Sequence, residues 1–340
     1  MECTYLKVSD FGEKSLINLI IKKTEKFQNI QFVLGDDAGI LATDNNKDLI
    51  LSSDMLIQSK HFPSKMSYFQ MGFKSVTVNL SDIAAMAAKP IGFLLNIAIP
   101  KTLLLKDFND LINGVLSGCD FYDISLLGGD TNEASEIIIS GTAIGNISEG
   151  KAIKKSGFNV GDLVCITGNM GLAALGFEII NNDFQSEISK IALKKALKPI
   201  AKVNEGIILR DFASSLTDIT DGLASELYEI LNCDKKISEF NGLEFNKGIL
   251  IYEEKLAISE EYKNITKSIN KEYLELILNV GEDFELLFTI SKDNLEKLKG
   301  LIDFNIIGEI NNGSKIEIKR LNGEVQKISS KGYEHFIYTN

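Results

Sequence analysis

The chain has 340 residues, 44% of them hydrophobic and 24% charged, with a formal net charge of −11. That is enough apolar material for one large domain or two ordinary ones. The acidic balance argues against nucleic-acid binding, which draws its affinity from lysine and arginine on phosphates. No apolar run approaches the roughly 20 residues needed to cross a bilayer, so no membrane span is expected.

Residues 1–10 carry charged side chains and no apolar core of a secretory leader. The runs 30–34, 38–43 and 48–53 are short, apolar and broken by charge and turn residues, the pattern of strands. Between Phe73 and Ala87 the apolar positions Phe73, Val76, Leu80, Ile83, Ala84 and Ala87 follow helical spacing, and Pro90 stops that helix. A strand to Ile99, a helix from about Lys106 to Phe121 and two strands flanking Gly128-Gly129-Asp130-Thr131 follow, the second spanning residues 136–147. The order β-β-α-β-α-β-β predicts an α+β layer with helices over a mainly antiparallel sheet. The polar, lysine-rich segment from Ser148 to Gly161 reads as a boundary between domains 1–148 and 149–340. Residues 163–167 then open a second alternation of strands and helices, in which residues 237–262 look irregular.

Cys3, Cys119, Cys165 and Cys233 form no C-x-x-C pair and have no histidine at local metal-site spacing. Zinc and redox motifs are therefore unsupported, and reduced thiols in a cytoplasm are expected. The segment from Gly145 to Ala152 falls one residue short of a phosphate loop, because Ala152 stands where Ser or Thr must bind Mg²⁺. Gly168-Asn-Met-Gly171 follows a strand and opens a helix, so its backbone N–H groups can serve an anion or only the turn itself.

The stronger signal is a series of aspartates at the ends of apolar strands and on helix faces: Asp36-Asp37, Asp54, Asp82, Asp130, and Asp218 with Asp221. Each one alone is most often a turn former or a cap. Together they are costly to bury unpaired, and the arginines that pair carboxylates best are only Arg210 and Arg320. Magnesium, an oxygen-seeking ion commonly shared between carboxylates and phosphates, is the economical partner. Phosphoryl transfer from ATP to an acceptor that is itself a phosphate fits this pattern. Such an acceptor is already ionised near neutral pH and needs no histidine base.

The motifs Gly35-Asp-Asp-Ala38, Ser53-Asp-Met-Leu56 with His61-Phe62, Val78-Asn-Leu-Ser-Asp-Ile-Ala-Ala-Met86, Gly128-Gly-Asp-Thr131, Ser156-Gly157 with Gly161-Asp162, Asp218-Ile-Thr-Asp-Gly-Leu223, Gly281-Glu-Asp-Phe-Glu-Leu-Leu287 and Lys331-Gly-Tyr-Glu-His-Phe336 occur in this order over nearly the whole chain. In this the sequence resembles the thiamine-monophosphate kinases, within the superfamily of aminoimidazole ribonucleotide synthetase-like ATP-binding proteins. The resemblance implies two α/β domains, the N-terminal one forming a shared barrel in a homodimer. It implies direct in-line transfer from ATP to thiamine monophosphate, giving thiamine diphosphate.

Carried over by resemblance, the magnesium ligands are Asp37, Ser52, Ser53, Asp54, Asp82, Asp130, Asp218 and Asp221, of which Asp37, Asp82, Asp130 and Asp218 carry catalysis. Gly129, Asp130, Lys155 and Thr220 match ATP contacts, and His61, Glu282 and Tyr333 match the thiamine phosphate site. The chain departs from the family pattern at Lys155 (usually arginine), Thr220 (usually serine), Leu172 (usually aspartate), Asn132-Glu133-Ala134 and Ser59.

Two alternatives compete. A sister activity is disfavoured because Cys3 sits outside any glycine-rich segment and the chain ends Tyr338-Thr339-Asn340, without a reactive cysteine. A binding protein without turnover is disfavoured because carboxylates kept without metal only destabilise a fold.

Overall fold

Residues Lys47–Ser52 bury Asp48, Ile50 and Ser52 and turn their neighbours outward, the period of a strand with one covered face. Ile138–Ser148 repeats that alternation over eleven residues. These and their neighbours build an α+β fold of two sheets in a computed structural model, which describes residues 8, 13–24, 35–182 and 184–330. The strand expected at residues 30–34, and Tyr333, lie outside the described residues.

The first half runs α1 (Glu13–Thr24), β1 (Gly39–Ala42), β2 (Lys47–Ser52), β3 (Met55–Ile57), the short α2 (Gln58–His61), α3 (Tyr68–Ala85), β4 (Lys89–Ile99), α4 (Leu105–Phe121), β5 (Ser125–Glu133) and β6 (Ile138–Ser148). The sheet order is β1-β2-β6-β4-β5, with β3 also on β6. Among the described strands of this sheet only β4 and β5 pair in parallel, so it is mainly antiparallel as expected.

The second half runs β7 (Leu163–Thr167), α5 (Leu172–Ile179), α6 (Glu187–Leu197), α7 (Val203–Leu209), β8 (Ala213–Asp218), α8 (Leu223–Phe240), β9 (Gly248–Tyr252), α9 (Glu260–Ser268), α10 (Tyr273–Asn279), β10 (Leu286–Ile290), α11 (Lys292–Leu298), β11 (Phe304–Asn311), β12 (Ile316–Lys319) and β13 (Val325–Lys327). Its sheet order is β13-β12-β9-β11-β7-β10-β8. The stretch that looked irregular, residues 237–262, contains β9, which sits inside this sheet between β12 and β11. Its apolar run is only five residues long and is flanked by charge, too short to stand out by period alone.

The helix α3 is the hinge of the architecture. A capping box starts it, Ser67 accepting from Gln70 N while Gln70 returns a bond to Ser67 N. That is earlier than apolar spacing from Phe73 indicates. It is buried on nearly every side, against α4, the first sheet, α7 and β8. A Cβ on Gly72 would lie 2.0 Å from Leu111 O, and one on Gly114 2.0 Å from Phe69 O, so α3 and α4 touch backbone to backbone. The helix ends at Ala85, and Pro90 falls at a register shift in β4, where a missing N–H is tolerated.

Gly128-Gly129-Asp130-Thr131 was expected between two strands and instead lies inside β5. The two glycines adopt φ of 147° and 151°, and a Cβ on Gly129 would meet Leu95 O at 1.6 Å. A register shift between Phe93 and Leu94 accompanies them. Glycine here permits close strand approach rather than a chain reversal.

Candidate active site

The ends of β2 and β8, the face of α3 and the Gly35–Ala38 turn converge on one acidic centre. Asp37, Asp82 and Asp218 each offer a carboxylate oxygen, and these oxygens all lie within 4.8 Å of one another. Asp218 is the last residue of β8, placed at the mouth of the second sheet by pairing with Leu286. Asp82 stands on α3, where Ser52 at the end of β2 donates to it.

Lys155 Nζ lies 2.8 Å from Asp37 Oδ1, and Thr217 Oγ1 donates to the same oxygen at 3.0 Å. Lys155 itself is buried. Burial pulls its pKa down, but the charges of Asp37, Glu226 and Glu229 outweigh that and hold it protonated, well above the ordinary lysine value. Its backbone N–H donates to Asp36 Oδ1 at 2.8 Å, which fastens the 152–157 segment to the aspartate turn.

The three clustered aspartates do not have enough cation. Burial raises Asp82 well above the ordinary carboxylate range, helped by the charges of Asp218, Asp54 and Asp37. Asp218 is pushed up to about 8 by burial and by Asp37, and Asp36 to about 6, mainly by burial. Asp54 rises for the same two reasons, burial and Asp37. Among the described residues the buried Oδ2 atoms of Asp36, Asp37 and Asp218 have no hydrogen-bond partner. Clustered carboxylate oxygens of this kind are hard donors that fit a divalent cation such as magnesium, which would take the place of their protons.

Not all of the other predicted residues are brought to this centre. Asp54 is placed by Asn79, whose side-chain oxygen accepts from Asp54 N at 2.9 Å while its amide donates to Ser75 O at 2.9 Å. Ser53 donates to Gly141 O at 2.8 Å on β6. Thr220 and Asp221 form the turn after β8. Asp130 and Gly129 are exposed on β5, with β4 between them and β6, and Asp130 is outside the group of three. Sequence reasoning missed Glu226, which is buried on α8 and pushed well above its ordinary value by burial, against the opposing pull of Lys155. A lone glutamate between Ser225 and Leu227 gave no signal, because its partner Lys155 is distant in the chain. Thr217, next to Asp218, was likewise missed.

The Gly281 motif divides its three acids among three partners. A Cβ on Gly281 would lie 1.7 Å from Thr220 O, so the loop passes hard against the turn after β8. Glu282, at φ 68°, donates its N–H to that same Thr220 O at 2.7 Å, and its carboxylate meets Lys74 Nζ at 2.7 Å. Asp283 accepts from Gly171 N at 2.7 Å and Ala173 N at 3.0 Å. The helix start at Gly168–Gly171 therefore does serve an anion, and it is the chain's own carboxylate. Leu172, where an aspartate is usual, is buried in the core beside it. Glu285 accepts from Thr167 at 2.7 Å and pairs with Lys195 and with Lys202, the latter at 3.4 Å. His61 ends α2, and its Nδ1 lies 2.9 Å from Ile57 N and 3.2 Å from Ile57 O, so the ring is held against the first residue before its own helix.

The profile described as "AIR synthase related protein, N-terminal domain" matches residues 35–147. The thiamine-monophosphate kinase of Pyrococcus horikoshii is 37% identical over 325 residues, covering 95% of this chain and 96% of that one. Among solved structures, AaThiL complexed with AMPPCP and TMP superposes with a TM-score of 0.84 at 26% identity, covering 98% of this chain and 99% of the other. Thiamine-monophosphate kinase from Stenotrophomonas maltophilia gives 0.72 at 27% identity, with 91% and 96% covered. E. coli HypE, a hydrogenase maturation protein, shares the fold at 15% identity. With that identity to a curated relative over nearly its whole length, the chain belongs to the thiamine-monophosphate kinase family.

Proposed function

We propose that this protein transfers the γ-phosphoryl group of ATP directly to thiamine monophosphate, giving ADP and thiamine diphosphate. The observation that carries this reading is the centre of Asp37, Asp82 and Asp218 with its unpartnered buried oxygens. It is supported by relatives named as thiamine-monophosphate kinases and by the complex of AaThiL with AMPPCP and TMP.

Asp37, Asp82 and Asp218, with Ser52, Ser53, Asp54, Asp130 and Asp221, would hold several magnesium ions, whose chemistry there is to neutralise the phosphates and let two anions meet. Lys155 and Thr217 fix the Asp37 carboxylate from one side, and Asn79 fixes the backbone of Asp54 from the other. On the nucleotide side, Gly129, Asp130, Lys155 and Thr220 are the proposed contacts. Lys155 keeps the charge of the usual arginine but presents a point charge instead of a planar fork. His61, Glu282 and Tyr333 are the proposed acceptor contacts. No general base is required, because the attacking phosphate oxygen is already ionised near neutral pH, its second pKa being about 6.

The test is ADP release from MgATP with thiamine monophosphate, thiamine, an aminoimidazole precursor or selenide supplied separately. Turnover with thiamine monophosphate alone is expected. Turnover with a different acceptor would move the function to a sister enzyme, and binding without ADP would favour a non-catalytic role.

A homodimer belongs to the same reading. It is supported by β5, an edge strand exposed along all nine residues, and by exposed Ile91, Leu126 and Leu127 on and beside it. No described strand pairs with the outer edge of β5, and an edge of this kind is a natural place for a covering partner. Light scattering should return twice the 37.5 kDa chain mass, and a monomer at working concentration would count against the shared barrel. A division into domains 1–148 and 149–340 is supported by the end of the first sheet at Ser148. A cytoplasmic location is supported by the buried free thiols of Cys119, Cys165 and Cys233, and none of the described helices is long and apolar enough to cross a membrane.

A further inference from the structure

Lysine is among the residue types least often fully buried, yet the Lys74 side chain is 0% exposed in the middle of α3. Its ammonium has three protons, and three acceptors take them. Glu282 Oε1 and Oε2 each lie at 2.7 Å and His61 O at 2.8 Å. The Phe62 ring adds a face, its centroid 5.8 Å from the ammonium. With all three donors used and no surface open, Lys74 itself contacts no ligand. What it does is tie three separate pieces together: the end of α2, the helix α3 and the Gly281 loop.

The two pieces that Lys74 ties to α3 both carry residues proposed for the acceptor. Glu282 keeps 27% of its side chain exposed, and its backbone occupies the left-handed region at φ 68°, which a non-glycine residue holds only when its surroundings over-determine it. Its N–H bond to Thr220 O supplies one constraint, and the Lys74 ammonium supplies the other. Thr220 lies between Asp218 and Asp221, so the same short path joins the acceptor side to the acidic centre.

We propose that Lys74 is a positioning residue of the acceptor site, a buried ammonium that sets the His61 segment and the Glu282 carboxylate in register with each other. This rests on the reading of His61 and Glu282 as acceptor contacts. The ammonium bonds only to the Glu282 carboxylate and His61 O, whereas Thr220 is held by the Glu282 backbone N–H, a bond that does not involve the ammonium, so loss of Lys74 acts on the acceptor far more than on the nucleotide.

The experiment compares wild type, Lys74→Met, Lys74→Arg, Glu282→Gln and the double variant Lys74→Met/Glu282→Gln. Steady-state constants for each substrate are measured together with calorimetric titration of thiamine monophosphate. Lys74→Met is expected to raise KM for thiamine monophosphate at least about tenfold and to weaken its titrated affinity in step, with KM for ATP changed less than about twofold. Lys74→Arg, which restores charge, should fall between it and wild type. The double variant leaves no unpaired charge, so it stays folded even where Lys74→Met does not. Its acceptor KM should match the worse single variant instead of multiplying the two effects.

Equal rises in both KM values, an unchanged acceptor KM in folded Lys74→Met, or multiplying effects in the double variant would overturn the positioning role. If instead Glu282→Gln leaves the acceptor KM of an active wild type unmoved, the acceptor-site reading itself fails, and this inference with it.

Discussion

Asp218→Asn is expected to fold normally, lose at least about a hundredfold in kcat, and gain clearly less thermal stability from magnesium than the wild type does. The loss follows from removing charged stabilisation at the reacting phosphates, a change commonly worth two to three orders of magnitude. The survival of the fold follows from the metal-free side chain. With its pKa pushed up to about 8, Asp218 at pH 7 is largely a neutral acid, and asparagine has nearly its shape. Above pH 8, where wild-type Asp218 must ionise beside Asp37, the variant should be the more stable of the two in EDTA. Unfolding curves with and without magnesium, alongside initial rates, check all three statements. Near-normal turnover at saturating magnesium would refute the assignment of Asp218.

Stability of the metal-free protein should fall as pH rises from about 4 to about 8, and magnesium should reverse most of that fall. The sign follows from proton linkage. A carboxylate whose folded pKa is raised binds more protons folded than unfolded between its two pKa values, so rising pH favours unfolding across that window. Asp36, pushed up to about 6, and Asp218, pushed up to about 8, set its span, with Asp54 and Asp82 raised alongside them. Asp283, also raised to about 6 but bonded to the backbone at the start of α5, contributes a part that magnesium should not restore. A tenfold change in proton affinity between the folded and unfolded chain is worth about 1.4 kcal/mol, so Tm in EDTA should drop by several degrees. Because a cation competes with protons for the same oxygens, the magnesium-induced rise in Tm should grow with pH. A metal-free Tm that is flat or climbing from pH 5 to pH 8 would show that these carboxylates already have partners.

The parts of the fold legible in the sequence were those whose period is long or whose stop signal is chemical. The helix after Tyr68 and the helix ending at Phe121 were visible because their apolar stripes run over several turns. The strand β9 was not, because five apolar residues between charged segments satisfy helix and strand templates alike. Gly128-Gly129 looked like a turn because glycine usually marks one. Here it answers a carbonyl from the neighbouring strand, a long-range contact that no local pattern contains.

The acidic centre was legible for a related reason. Asp37, Asp82 and Asp218 sit inside or at the ends of apolar segments, where a lone carboxylate is anomalous. Lys74 sits in an apolar segment too, between Phe73 and Ser75, but a lysine in a helix reads as a solvated position until its partners are known. Those partners lie 13 and 208 positions away in the chain. Asp283 was named only as part of a motif, and its bond to the α5 N-terminus depends on a loop meeting a helix 110 residues earlier. Residues of this kind become visible only when the chain is folded.

The most direct test is ³¹P NMR of a single tube holding the protein, ATP, thiamine monophosphate and magnesium. Loss of the γ-phosphate signal of ATP matched by growth of a thiamine diphosphate signal is expected, with both changes abolished by EDTA and in Asp218→Asn. ATP consumption that yields only inorganic phosphate, or transfer that persists without a divalent cation, would contradict phosphoryl transfer at the Asp37, Asp82 and Asp218 centre.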